Sequence, residues 1–395
     1  MKHALFMMPI HARDKEYHIG LMEDREAIIL ADKLGYSEAW IGEHYASGPE
    51  QITSPMMFLA SLITETTNIK LCTGVICLPQ YHPGLVAGQA AMFDHLSKGR
   101  FIMGVGPGGL PPDFELFDTM DAERSEMMAE SIDIIHQIWS GEPPWDIKGK
   151  HWHIKIQDWV HDDIGLGHML KPYQKPYPPI GISAMSPFSS SIRYAAQQDF
   201  IPLSANFIGN WSVKSHWQVY AEEREKNGQT VDPGIWRVAR NIHVGETDAE
   251  AEAFVKEANG SCDWYFKYLH TIFERAKMKG AFVINKDDDG DALTHEDLRD
   301  NYTIYGSPST VAEKILAFRD EIGDFGTLVL TAQDWTDADA MKRSMTLLAE
   351  EVMPAVNSAI GSKQAAEERG KGRQSRVGCT WPITPLSPVG RKALV

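Results

Sequence analysis

Short apolar runs alternate with longer stretches of helical period along most of this chain. The runs at residues 4–8, 38–41, 70–78, 101–105, 180–184, 200–204, 236–244 and 328–331 read as strands buried on both faces. Between and after them, residues 22–34, 55–65, 83–96, 122–139, 189–197, 211–226, 248–258, 309–318 and 338–356 read as helices. In the first of these, Ala27, Ile28, Leu30, Ala31 and Leu34 make the apolar face, and Gly35 supplies a stop. Pro55 behind Ser54 marks a helix start, and Thr247 caps the helix that begins at Asp248. Sustained alternation calls for parallel strands joined by crossover helices. Eight strands counted this way favour an α/β TIM (β/α)8 barrel over a doubly wound sheet, in one domain over residues 1–360.

The rhythm breaks twice. Residues 141–179 are rich in Pro, Gly and His and carry Trp145, Trp152 and Trp159, which predicts a long excursion with a hairpin near 151–159. Residues 262–305 form a second insertion. From 361 to 395 Gly, Arg, Lys and Pro dominate without apolar period, which predicts a disordered tail.

Composition narrows the partners. A formal net charge of −16 weighs against nucleic-acid phosphates and anionic membranes. No apolar run approaches the ~20 residues that span a bilayer, and the run at 5–10 is too short for a signal peptide. Cys72, Cys77, Cys262 and Cys379 lack paired metal-ligand spacing and are too sparse for a disulfide scaffold. The expectation is a reducing, cytoplasmic compartment.

In a barrel the strand ends meet on one face, where active sites are built. Trp40-Ile-Gly-Glu43-His44 puts a polar pair straight after the second strand, and His is suited to act as a base or to steady a reactive oxygen near neutral pH. Gly104-Val-Gly106-Pro-Gly108-Gly109 matches a dinucleotide fingerprint, but no helix is expected before about residue 121. A bare strand end that lets a flat ring approach the backbone is the preferred reading. Ser183-Ala-Met185-Ser186, followed by Ser189, Ser190 and Ser191, brings hydroxyls and free N–H groups to a helix N-terminus, either a phosphate cradle or a plain cap. Two metal readings are disfavoured. Asn285-Lys-Asp287-Asp-Asp289-Gly290 with Glu296 imitates a calcium loop, but stands alone and starts with Asn; a solvated acidic loop with Thr294 capping a helix is preferred. His151 and His153 have ligand spacing, but lie in the excursion rather than at a strand end.

Taken together, these residues resemble the bacterial luciferase-like flavin-dependent monooxygenases, from Met1 to about Val356. The likeness rests on Ala31-Asp-Lys-Leu-Gly35-Tyr36 running into Trp40 and Glu43-His44, on Leu78-Pro79 with His82-Pro83, on Ser97-Lys-Gly-Arg-Phe101, and on Tyr305-Gly-Ser-Pro308. Arg193 and the Ser215-His-Trp-Gln-Val-Tyr220 helix are similar to the two-component branch that includes diketocamphane and limonene-type monooxygenases. The resemblance implies a TIM barrel that uses FMN as FMNH2, delivered by a separate NAD(P)H flavin reductase, with O2 forming a peroxyflavin. It implies oxygenation of a small apolar ketone or terpene, and a homodimer formed through helices 55–65 and 83–96. Carried over by position, His44 with Glu43 stands beside the reacting oxygen. Gly74 and Val75 are the third-strand bulge under the ring, often with a cis peptide, and Gly106 lies at the ring. Met185, Ser186, Ser189, Ser190, Ser191 and Arg193 are the phosphate region, and 262–305 is the mobile loop that shields the site. Luciferases place a cysteine and an arginine where Gly106 and Pro107 stand here, so light emission is not expected and the phosphate must lean on the serines or Arg193. Trp211, Phe207 and Trp264-Tyr265-Phe266 are candidates for a substrate wall. A deazaflavin- or NAD-linked oxidoreductase and a catalytically idle flavin-binding subunit remain as alternatives.

Overall fold

Eight parallel strands form the centre of the protein, seen in a computed structural model that describes residues 1–364. They are β1 Lys2–Met7, β2 Glu38–Ile41, β3 Lys70–Thr73, β4 Phe101–Gly106, β5 Ile180–Ala184, β6 Ile201–Ser204, β7 Arg237–Val244 and β8 Thr327–Thr331. Each pairs with the next in sequence, β8 returns to β1 through registers such as Leu5 opposite Leu330, and the barrel closes. Near-continuous burial along β2 to β6 reflects helices outside and packed side chains inside. The expected eight-stranded α/β barrel is therefore what the chain forms.

Trp40 fills the barrel interior with Ala4, Cys72, Ile102, Leu203, Ala239 and Val329. Room for its ring comes from glycine: a Cβ at Gly181 would lie 2.8 Å from the indole, and one at Gly104 would lie 1.9 Å from the Thr73 carbonyl oxygen. The first glycine of the GxG run thus serves packing inside the barrel, not ligand approach.

The excursion contains the antiparallel hairpin Trp145–Lys148 with His153–Ile156, a few residues earlier than expected. Residues 262–305 are more regular than the sequence reading allowed. They overlap helix Ser261–Arg275, which buries Cys262, Tyr265, Phe266, Leu269 and Phe273 on one face. They also contain helix His295–Tyr302, closed by a Thr294–Asp297 capping box, and lead into strand Thr303–Gly306, parallel to β7. Another short helix, Pro111–Leu116, begins well before the expected start near 121. Of the expected tail, residues 361–364 continue the last helix, and the remainder lies outside the described residues. No described helix is long and apolar enough to cross a membrane.

Candidate active site

A cavity of about 290 Å³ opens at the C-terminal ends of the barrel strands. Strand tips supply its wall in turn: Met8 after β1, Glu43 and His44 after β2, Gly74 and Val75 after β3, Gly106 ending β4, Ala184 to Ser186 at β5, and Ser204 to Phe207 at β6. Its lining is mainly apolar with a few convergent polar groups, the usual composition of a small-molecule site.

His44 is held on one side by a residue that sequence reading missed. Its Nδ1–H donates to Asp113 Oδ2 at 2.9 Å, and Asp113 Oδ1 also accepts from the N–H groups of Tyr45 and Ala46. Asp113 sits in the first turn of helix Pro111–Leu116, which the prolines start rather than prevent. His44 Nε2 faces Glu50 Oε1 at 3.6 Å, too far for a hydrogen bond. Burial disfavours a charged imidazole, but Glu50, Asp113 and Glu43 outweigh it, and the His44 pKa is raised. The same pairing acts in reverse on Asp113: burial would raise its pKa, but the His44 bond and the backbone donors hold it below the ordinary carboxylate value.

Glu43 is nearly completely buried. It accepts from the Cys77 N–H at 3.2 Å and from the Tyr81 hydroxyl at 2.8 Å, and Tyr81 is in turn bonded to Tyr45. Burial pushes its pKa up to about 7 against those donors and the His44 charge. Tyr81 lies inside the Leu78–His82 motif, but only the folded chain brings it to Glu43.

The opposite end of the cavity is a hydroxyl-rich helix start. Ser186, Ser189 and Ser191 line it with Met185, whereas Ser190 and Arg193 do not. Arg193 is exposed and pairs with Glu223 at 2.9 Å, so of the two anion-binding choices only the serine segment reaches the cavity. Helix Ser190–Gln198 carries no side-chain cap bond from Ser189, which leaves its first-turn N–H groups and that hydroxyl available. The loop is braced from behind. His216 Nε2–H donates to the Ser186 carbonyl at 2.9 Å, Ser204 donates to His216 Nδ1 at 2.9 Å, and Phe188 N–H donates to Ser215. Burial lowers the His216 pKa to about 4, which keeps it neutral in this arrangement.

Between the two ends, the wall is backbone. The Gly74–Val75 peptide is cis, as the resemblance implied. A Cβ on Gly106 would lie 2.7 Å from Val75 Cγ2, and one on Gly109 would meet nothing within 4 Å. These observations fit a planar ring ending in a phosphate: a flat backbone wall, an anion cradle without a captured cap, and the His44 imidazole on the wall between. Among the aromatic candidates only Phe207 lines the cavity. Trp211 bonds the Val283 carbonyl, Trp264 bonds the His11 carbonyl, and Tyr265 and Phe266 are core.

In the acidic loop Asp288 accepts from Asn285 and Asp289 accepts from the Asp291 N–H. His151 and His153 do not converge: His153 pairs with Asp146, whereas His151 Nε2 has no hydrogen-bond partner and lies with Glu123 and Glu126, their ligand atoms within 4.8 Å of one another.

Comparison with known proteins agrees with this geometry. The luciferase-like monooxygenase family model matches residues 1–324. The 4-hydroxyprotoasukamycin monooxygenase of Streptomyces nodosus subsp. asukaensis is 30% identical, over 91% of this chain and 94% of its own. The limonene 1,2-monooxygenase of Rhodococcus erythropolis is 29% identical, over 91% and 87%. Among solved structures, the oxygenating constituent of 3,6-diketocamphane monooxygenase from Pseudomonas putida, a type II Baeyer–Villiger monooxygenase in complex with FMN, superposes with a TM-score of 0.80. It is 28% identical, over 90% of this chain and 98% of that one.

Proposed function

This chain belongs to the luciferase-like monooxygenase family, and on that premise we propose that it is the oxygenase component of a two-component system, using FMNH2 and O2 to oxygenate a small apolar ketone or terpene-like molecule. The observation that carries the reading is the cavity itself, with a raised-pKa imidazole at one end, an uncapped serine-lined helix start at the other and bare backbone between. Reduced FMN, when bound, supplies the electrons that activate O2 for transfer of one oxygen atom.

The protein's own groups divide the remaining work. Ser186, Ser189 and Ser191 with the helix N-terminus hold the phosphate. Gly74, Val75 and Gly106 give the ring a wall it can lie against closely. His44, its pKa raised by the surrounding carboxylates, donates through Nε2–H to the reacting oxygen. Glu43, with both protonation states populated near pH 7, accepts the Tyr81 hydroxyl's hydrogen bond at its Oε2, and burial keeps the Tyr81 proton on its own oxygen. Phe6, Met8, Leu203, Phe207 and Ala239 exclude water and favour an apolar substrate.

The name of the FMN-bound relative, an oxygenating constituent, supports a separate reductase as source of reduced flavin. Met57, Leu85, Met92 and Leu96, exposed on helices Pro55–Ala60 and Pro83–Leu96, support a homodimer through that face. The test is oxygen uptake by the purified chain with FMN, NADH and a generic flavin reductase. Products are read by mass spectrometry over a panel of cyclic ketones, terpenes and aldehydes. A product one oxygen atom heavier is expected from at least one ketone or terpene, and His44→Ala should yield less of it per flavin oxidised while FMN binding is retained. Peroxide release without product across the panel, or a preference for a deazaflavin in spectral titration, would overturn the proposal.

A further inference from the structure

Helix Ser261–Arg275 brings a residue to the imidazole site from more than two hundred positions away. The Tyr268 hydroxyl lies 2.8 Å from Glu50 Oε2 and 2.7 Å from the Ser47 hydroxyl, which is itself 2.9 Å from the same carboxylate oxygen, so two hydroxyl protons serve three contacts. Glu50 is buried, and with Oε2 engaged its other oxygen, Oε1, is turned toward His44 Nε2. We infer that Glu50 is a positioning residue, oriented by Tyr268 and Ser47, that holds a carboxylate oxygen opposite His44 Nε2 without taking a hydrogen bond from it. The catalytic meaning of this charge rests on the function proposed above; the coupling itself does not.

At 3.6 Å the carboxylate is close enough to stabilise a positive ring and too far to capture its proton. Asp113 does the opposite, engaging Nδ1–H directly and fixing the ring plane. Both carboxylates favour the charged ring, but only Asp113 also fixes its plane through a direct bond, while Glu50 acts by its charge alone. The remaining acidic groups here are Glu43, turned to Tyr81 and the Cys77 N–H, and Asp24, which lines the small void of about 10 Å³ beside His44 and Glu50 but is bonded to His11. Because Tyr268 belongs to the flanking helix, seating of that helix and the charge at His44 are linked through one oxygen atom.

The test is NMR titration of histidine-labelled full-length protein without flavin, the His44 signal being assigned by its loss in His44→Ala. Glu50→Gln should lower the His44 titration midpoint by about one pH unit. Tyr268→Phe should lower it by less, and Glu50→Asp, which keeps the charge, should restore most of the wild-type midpoint. The pH profile of product formed per flavin oxidised should move in the same order. A midpoint unmoved in either Glu50→Gln or Tyr268→Phe overturns the inference, and the milder Tyr268→Phe carries the test if Glu50→Gln does not fold. Since the titration needs neither flavin nor oxygen, its failure leaves the oxygenase reading standing. Failure of oxygenation, conversely, leaves the midpoints unaffected.

Discussion

Replacing Asp113 with Asn removes one negative charge from beside His44 and changes little in shape. The Asn Oδ1 still accepts from the Tyr45 and Ala46 N–H groups, so the loop keeps its anchor. The other atom becomes an N–H donor facing His44 Nδ1, which must then accept, and the imidazole is driven to its neutral Nε2–H form. A hydrogen bond to a charged group contributes about 1.5–3 kcal/mol, and about 1.4 kcal/mol corresponds to one pH unit. His44 should therefore lose its proton about one to two pH units earlier than in the wild type. The sign follows from both partners. The raised His44 pKa contributes stability that is complete below its ordinary 6.5 and fades as pH rises through the folded value. The lowered Asp113 pKa contributes stability above its ordinary 3.8 that is lost as pH falls through the folded value. Asp113→Asn should thus cost about 1.5–3 kcal/mol between those two ordinary values and progressively less at alkaline pH. The assays are urea unfolding at several pH values and product formed per flavin oxidised as a function of pH, whose alkaline limb should move acidward by the same one to two units. An unmoved limb, with unfolding curves equally displaced at every pH, would show that Asp113 merely braces the loop.

Other perturbations read other parts of the site. Changing Ser186, Ser189 and Ser191 together to Ala should weaken FMN binding by roughly 10- to 1,000-fold, from three hydrogen bonds of about 0.5–1.5 kcal/mol each; riboflavin affinity should hardly change, as fluorescence titration of the two would reveal. Glu43 has its pKa raised from 4.5 to about 7, so its burial costs nothing below the lower value and about 3 kcal/mol above the upper. Glu43→Gln should accordingly gain thermal stability relative to wild type as pH rises from 5 toward 8, and a constant difference across that range would contradict the assignment. Gly104→Ala forces a Cβ to 1.9 Å from the Thr73 carbonyl oxygen and should destabilise by about 3 kcal/mol or more, measured by urea unfolding.

What sequence could and could not show divides along contact distance. The strands were legible because apolar runs stop at glycines and polar pairs, and the Glu43-His44 pair was legible because it follows a strand directly. Asp113 is not legible, because Leu110-Pro-Pro after a strand looks non-helical, although proline in a first turn is a favourable start and is the available signal. Helix Ser261–Arg275 was also recoverable: Cys262, Tyr265, Phe266, Leu269 and Phe273 recur at helical spacing. Tyr268 at Glu50, Tyr81 at Glu43 and His216 under Ser186 had no local signature, since each contact is made by residues that only closure of the barrel brings together. Arg193 shows the converse: a cation near the right segment in sequence is drawn away by Glu223, a partner on another helix.

A crystal structure of the FMN complex decides whether the cavity at the C-terminal rim of the barrel is the flavin site. The phosphate should lie against Ser186, Ser189 and Ser191, the ring along Gly74, Val75 and Gly106, and His44 Nε2 should face the space above it. Flavin bound anywhere else, or bound there with the phosphate turned toward His44, would contradict this placement.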